Sequence, residues 1–285
     1  MSYLNFYKLK ELPFSNVPDL RYFYNCPHYT EPLNKIIDSI KNGKQLITVY
    51  GKCGLGKTVI SRKILNSFEY LNEQYEVFLL VCIHSDIQAG WFLKKISLQL
   101  HAEPKDESKG SLFETVTKAF LEIGDEGKGI VILIDEANMI EKVEVYEEIR
   151  GLINFMADNQ RKFSITLFGL PSLEERLAND EPLMHRVETR VDLKPLPSLE
   201  MTKGYIDHRL NIAGGQETIF DQSAYSLIHR SSGGNPRLIN IICDNALIEG
   251  YLRKQKVISE EEINYVIVEM GYNTRLKSLF LDANS

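Results

Sequence analysis

The chain has 285 residues, 44% hydrophobic and 25% charged, with 33 Lys+Arg against 39 Asp+Glu for a formal net charge of −6. This is the composition of a globular protein; it excludes disorder and collagen-like repeats, and it argues against a nucleic-acid grip spread over the whole surface, leaving only a local basic patch. At about 150 residues per domain the length holds one or two domains, and no run reaches the roughly 18 apolar residues of a membrane span.

Residues 1–44 form an N-terminal segment whose start, Met1 to Pro13, mixes Lys and Glu with apolar residues and so lacks a signal-peptide core. Gln45–Tyr50 is the first predicted buried strand and Lys57–Glu69 the first amphipathic helix after it. Between them Gly51-Lys52-Cys53-Gly54-Leu55-Gly56-Lys57-Thr58 matches G-x-x-x-x-G-K-[ST] in full. Glycines there let backbone N–H groups curl around phosphate oxygens, with Val59 in the first helical turn behind them. Lys57 reaches the β/γ-phosphates of ATP, and the Thr58 hydroxyl serves Mg²⁺.

Glu76–Ile83 is the second predicted strand, and Trp91–Leu100 and Leu112–Ile123 are helices flanking a charged surface loop, Glu103–Lys109. Gly129–Ile134 is a third strand ending in Asp135-Glu136-Ala137-Asn138, of Walker B type, expected on a strand neighbouring the phosphate loop. Asp135 would hold the Mg²⁺ hydration shell and Glu136 would act as general base on the attacking water; a helix-capping acidic pair is the plainer alternative. A helix over Val143–Asp158 and strands over Phe163–Phe168 and Thr189–Leu193 complete an α/β domain at 45–196, a P-loop NTPase with a parallel sheet sandwiched by helices. Cys26, Cys53, Cys82 and Cys243 contain no C-x-x-C pair, so free, mostly buried thiols of a reducing cytoplasm are expected.

Beyond Pro195 and Pro197 the periodicity is helical only, which predicts a small all-helical lid at 197–272 and a tail at 273–285. Its helices run from Ser198 to about Asn211, Gln222 to Arg230, Pro236 to Leu252 and Ser259 to Met270. Ala213-Gly214-Gly215 ends the first, Pro236 suits a first turn, and Ser259-x-x-Glu262 reads as a capping box. Arg186, between a helix and the fifth strand, is a candidate arginine finger for the γ-phosphate of an adjoining subunit, with Arg190 as fallback and a surface ion pair as the alternative. Arg237, at a helix start in the lid, is a candidate nucleotide sensor or a solvated arginine.

Tyr3-Leu-x-Phe6-Tyr7-x-Leu9-x-x-x-Pro13-Phe14 with Pro18-Asp19, the phosphate loop, Leu133-Ile-Asp135-Glu136-Ala137, Leu167-Phe168-Gly169-x-Pro171-x-Leu173 and Gly234-x-Pro236-Arg237-Leu-Ile-Asn240 together resemble the AAA+ ATPases of bacterial secretion and pilus assembly, of the general secretion pathway protein A (ExeA) and MSHA pilus (MshM) type. The resemblance covers nearly the whole chain. It implies an α/β nucleotide-binding domain with a helical lid, ATP sites shared between subunits of a homo-oligomeric ring or filament, the finger role of Arg186 and the sensor role of Arg237. It also implies that Pro13 and Phe14 lie near the adenine base, where they either contact it or only seal the core.

The pattern of that family has Gln where this chain has Leu170 and Asn138. Leu170 cannot hydrogen-bond the γ-phosphate or water through its side chain, so slow hydrolysis is expected. His84, at the end of the second strand, is a candidate partner that holds Glu136 inactive. The resemblance favours a cytoplasmic, partner-stimulated ATPase that drives an envelope secretion or pilus machine through an inner-membrane protein, whether the chain is ATPase-only or a piece of a longer membrane-anchored protein. The alternatives are a transposition regulator that binds duplex DNA and recruits a transposase, for which Lys41, Lys44, Lys94 and Lys95 offer only scattered charge, and a nucleotide-regulated scaffold with negligible turnover.

Overall fold

The computed structural model describes residues 2–69, 74–83, 87–215 and 217–271. In chain order these form α1 (Tyr3–Phe6), α2 (Pro27–Lys41), β1 (Leu46–Tyr50), α3 (Lys57–Glu69), β2 (Tyr75–Val81), α4 (Trp91–Gln99) and α5 (Lys109–Asp125). Next come β3 (Gly129–Asp135), α6 (Val143–Asp158), β4 (Phe163–Gly169), α7 (Ser172–Ala178), α8 (Glu181–Met184) and β5 (Val187–Asp192). Four helices follow: α9 (Leu199–Ile212), α10 (Gln222–Ser232), α11 (Pro236–Leu252) and α12 (Glu260–Glu269). The chain divides into two compact units, residues 27–193 and residues 2–26 with 194–271.

In the first unit the strands pair in parallel in the order β2-β3-β4-β1-β5. Every residue of β1, β3 and β4 is buried, which is why their sequences are apolar runs rather than alternating ones: helices cover both faces of a parallel sheet. The edge strand β5 alternates and is shielded by α2, where Lys35 Nζ donates to the Arg190 carbonyl (2.9 Å) and the Ser39 and Thr189 hydroxyls lie 3.0 Å apart. On one sheet face Phe92 and Ile96 of α4, Phe120 of α5 and Ile149 and Leu152 of α6 build the core against Ile130, Ile132 and Ile165.

β3, with its terminal acids, does not pair with β1 directly. β4 lies between them, paired to both. Its last residue is Gly169, packed against the segments that follow β3 and β4 themselves. A Cβ there would stand 2.7 Å from Leu173 Cδ2 and 3.2 Å from Asn138 Oδ1, so the intervening strand ends without a side chain.

In the second unit each of the four helices α9 to α12 starts with a side-chain cap. Ser198, Asp221, Asn235 and Ser259 accept from backbone N–H groups one turn on, and the Ser259–Glu262 capping box is present in both directions; such caps contribute about 1 kcal/mol each. Tyr3 and Tyr7 tie the N-terminus into this unit through Asp244 Oδ1 and the Gln255 carbonyl, both at 2.8 Å. Gly234, before α11, has φ +73, and a Cβ on it would meet the Leu196 carbonyl oxygen at 2.1 Å; its own carbonyl accepts from Leu196 N at 2.9 Å. Gly234→Ala is therefore expected to lower the urea midpoint of the helical unit by the equivalent of more than about 2 kcal/mol, read by circular dichroism, with an unchanged midpoint as the contrary result.

Candidate functional site

At the end of β1 the backbone turns at Gly51, whose N–H donates to the Gly169 carbonyl at 3.1 Å. Gly54 and Gly56 hold φ +84 and +94, a region in which L side chains are strained, and a Cβ at Gly56 would meet nothing within 4 Å, so the loop is open on that side. The first intrahelical bond of α3 runs from Ile60 N to the Gly56 carbonyl (3.0 Å), which leaves the N–H groups of Lys57, Thr58 and Val59 without partners inside the helix. Loop and helix start thus form a concave set of donors with the positive end of the helix behind it, and this cradle fits a polyphosphate.

Lys57 is 5% exposed, and its Nζ donates to the Gly51 carbonyl at 2.7 Å and the Lys52 carbonyl at 3.2 Å. Burial lowers its pKa, while the charges of Glu136, Cys53 and Asp135 oppose that shift. Asp135, at the end of β3, and Glu136, just after it, therefore act on the ammonium of the loop, with β4 between β3 and β1. Leu55 is buried and anchors the loop, so it can meet a ligand only through its backbone; Lys52 and Cys53 are exposed, and Gly54, Gly56, Thr58 and Val59 are half-buried.

Asp135 is 1% exposed, and its Oδ1 accepts from Glu136 N at 2.9 Å. Glu136 itself sits at φ 54, ψ 37, a left-handed conformation that costs a non-glycine residue about 1–2 kcal/mol and persists only where the surroundings enforce it. Asn138 is buried, and its Oδ1 accepts from Leu170 N at 2.9 Å, so the segment after the acids is bonded to the segment after β4. Cys82 donates its backbone N–H to the Asp135 carbonyl at 3.0 Å; burial, with the two carboxylates nearby, pushes its thiol up to about 12.

The remaining expected residues are spread between the units. Arg186 is half-buried and makes no ion pair among the described residues. Its fallback Arg190 is engaged, paired with Glu174 and 5.4 Å over the Tyr50 ring. In the helical unit Arg237 is exposed at the first turn of α11, where its N–H donates to Asn235 Oδ1 at 3.0 Å. Pro13 and Phe14 are buried; Phe14 meets Phe220 edge-on with ring centroids 6.2 Å apart, and the Pro13 carbonyl accepts from Arg209 Nε at 2.6 Å. His84 lies outside the described residues. Of the four lysines considered for a DNA strip, Lys44 pairs with Glu188 at 3.1 Å and Lys94 with Glu107 at 2.5 Å.

Sequence reasoning missed Arg209, which is 7% exposed. The available signal was its place on the stripe Thr202, Tyr205, Ile206, Arg209 and Leu210 that α9 buries: a charge at a core position needs a built set of partners.

Residues 40–177 match the AAA domain family. The chain is 31% identical over 271 residues to general secretion pathway protein A of Aeromonas hydrophila, an alignment that covers 94% of this chain and 48% of that protein. It thus spans about half the length of that relative. Among solved structures it is similar to Drosophila ORC bound to DNA, with a TM-score of 0.71 at 17% identity over 94% of this chain and 66% of that one. Cdc6p from Pyrobaculum aerophilum gives 0.71 at 14% identity, covering 90% and 70% of the two chains. The RuvB Holliday junction branch migration motor of Thermotoga maritima gives 0.56 at 15%, covering 87% and 72%. These structural likenesses carry the fold. Among the described residues no helix is long and apolar enough to cross a membrane.

Of the four thiols only Cys53 is exposed, and it lies within the loop. Iodoacetamide at pH 8 is expected to label Cys53 well before Cys26, Cys82 or Cys243, and ATP is expected to slow that labelling, measured by peptide mass spectrometry. Labelling of Cys53 at the same rate with and without ATP would contradict the loop's role.

Proposed function

We propose that this chain, which carries an AAA+ P-loop module and is a homologue of general secretion pathway protein A, binds ATP with Mg²⁺ and hydrolyses it at sites shared between copies. The observation that carries the reading is the buried Lys57 ammonium under the field of Glu136 and Asp135, at the mouth of an open glycine loop.

Each residue has a role set by its place. Backbone N–H groups of residues 51–59 bind the phosphates, and Lys57 exchanges its carbonyl partners for phosphate oxygens. Thr58 and Asp135 would hold Mg²⁺, which when bound neutralises charge on the phosphates. Glu136 takes a proton from the attacking water as general base, its backbone held in the left-handed turn after β3. With Leu170 contributing only its backbone N–H to Asn138, no side chain from the end of β4 orients that water, and basal turnover is slow.

Arg186, free of ion pairs among the described residues, serves as the finger toward a second copy, and Arg237 is the sensor of the lid. Pro13 and Phe14 bring the N-terminal segment to the adenine. In this reading the chain is a cytoplasmic homo-oligomer, ring or filament, whose nucleotide state drives assembly or remodelling of a secretion or type IV pilus-like machine through an inner-membrane protein. The pairing of Lys44 and Lys94 with carboxylates favours this over a DNA filament.

Glu136→Gln is expected to lower phosphate release about 10²-fold or more while ATP stays bound. Arg186→Ala is expected to lose turnover about 10³-fold with binding intact. Mixing the two inactive proteins is expected to restore turnover, because the intact base of one copy meets the intact finger of the other. A silent mixture, or an Arg186→Ala protein that turns over like the parent, would contradict the shared site.

A further inference from the structure

The segment between α1 and α2 crosses the helical unit at residues 13–16 without entering a helix or strand, so its carbonyls need partners from elsewhere. One side chain supplies two of them. Arg209 of α9 donates from Nε to the Pro13 carbonyl at 2.6 Å and from Nη2 to the Ser15 carbonyl at 2.9 Å, while its Nη1 donates to Tyr205 Oη at 3.1 Å. The guanidinium lies 4.7 Å over the Tyr22 ring and 5.6 Å over the Tyr205 ring, and pairs with no carboxylate among the described residues. A buried cation without a carboxylate partner is a poor stabiliser beside an apolar residue of equal size. What its planar fork supplies is a fixed position for two carbonyls one residue apart.

The chain of bonds does not stop there. Tyr205 Oη donates to Asn240 Oδ1 at 2.9 Å, and Asn240 Nδ2 donates to Asn16 Oδ1 at 3.2 Å. Asn240 lies on α11 one turn after Arg237, and Asn16 lies in the same N-terminal segment as Pro13. The circuit from Pro13 and Ser15 through Arg209, Tyr205 and Asn240 back to Asn16 therefore ties this segment to α11, whose first turn carries Arg237.

We propose that Arg209 is a positioning residue that holds residues 13–16 and the first turn of α11, which carries Arg237, so that the two move as one body; this rests on the ATP reading above, with its roles for Pro13, Phe14 and Arg237. Substitution of Arg209 itself risks the fold, so the test uses the exposed end of the circuit. Affinities for ATP and ADP are measured by titration for the parent, Asn16→Ala, Arg237→Ala and the double variant, with Arg209→Lys, which keeps the charge and loses the fork, as a second probe.

The expected result is that Asn16→Ala and Arg209→Lys each reduce the parent's preference between ATP and ADP by about fivefold, and that Asn16→Ala adds nothing once Arg237 is gone. A merely structural role would lower the melting temperature and shift both nucleotides equally. That outcome, or effects of Asn16→Ala and Arg237→Ala that multiply, would overturn the coupling. If the parent binds neither nucleotide, the ATP reading itself fails.

Discussion

Lys57 is almost fully buried with its ammonium on two loop carbonyls, and the carboxylates of Glu136 and Asp135 are among the groups that offset its burial. A lysine in that position is unfavourable unless something anionic completes it, and the geometry of the sheet sets what can. The carboxyl ends of β1, β4 and β3 stop side by side, β4 ends at a glycine, and the loop opens on the same edge. A polyphosphate with its cation is the ligand chemistry that would match the lysine, the helix start and the acids together. The position of β4, as well as the motifs, therefore sets the edge at which these groups lie.

Backbone strain and polar burial are both present at that edge. Glu136 is held left-handed, Asn138 is buried to bond one backbone N–H, and Cys82 is kept protonated beside two carboxylates. Each is costly in isolation, and the neighbouring β3 and β4, buried at every residue, provide the rigid frame that enforces them. In the helical unit the costs are of another kind. The Asn235 cap and a glycine under the Leu196 carbonyl fix the start of α11, and with it the backbone of Arg237.

Features with local causes were legible in the sequence. The phosphate loop, the apolar run of β3 ending in two acids, the Ser259–Glu262 box and Pro236 at a helix start all follow from what a short stretch of backbone requires. Strand order was not legible, because parallel strands are joined through crossover helices and nothing in β3 records that β4 will lie between it and β1. The Asn138–Leu170 bond and the Arg209 circuit join residues 32 and 196 positions apart. Only the place of Arg209 on a buried stripe hinted at the latter. Leu170 reads from sequence as a lost polar contact; its backbone N–H, bonded to Asn138, shows that the position still has a structural task.

The central claim is that the Lys57 cradle is an ATP site. Isothermal titration of the parent and of Lys57→Met with ATP, in Mg²⁺ and in chelator, tests it most directly. Saturable binding near one ATP per chain that Mg²⁺ strengthens, and that Lys57→Met weakens about 100-fold or more, is the expected result, the loss being that of a buried charge-assisted contact. Equal affinity in the two proteins, or no binding to the folded parent, would contradict it.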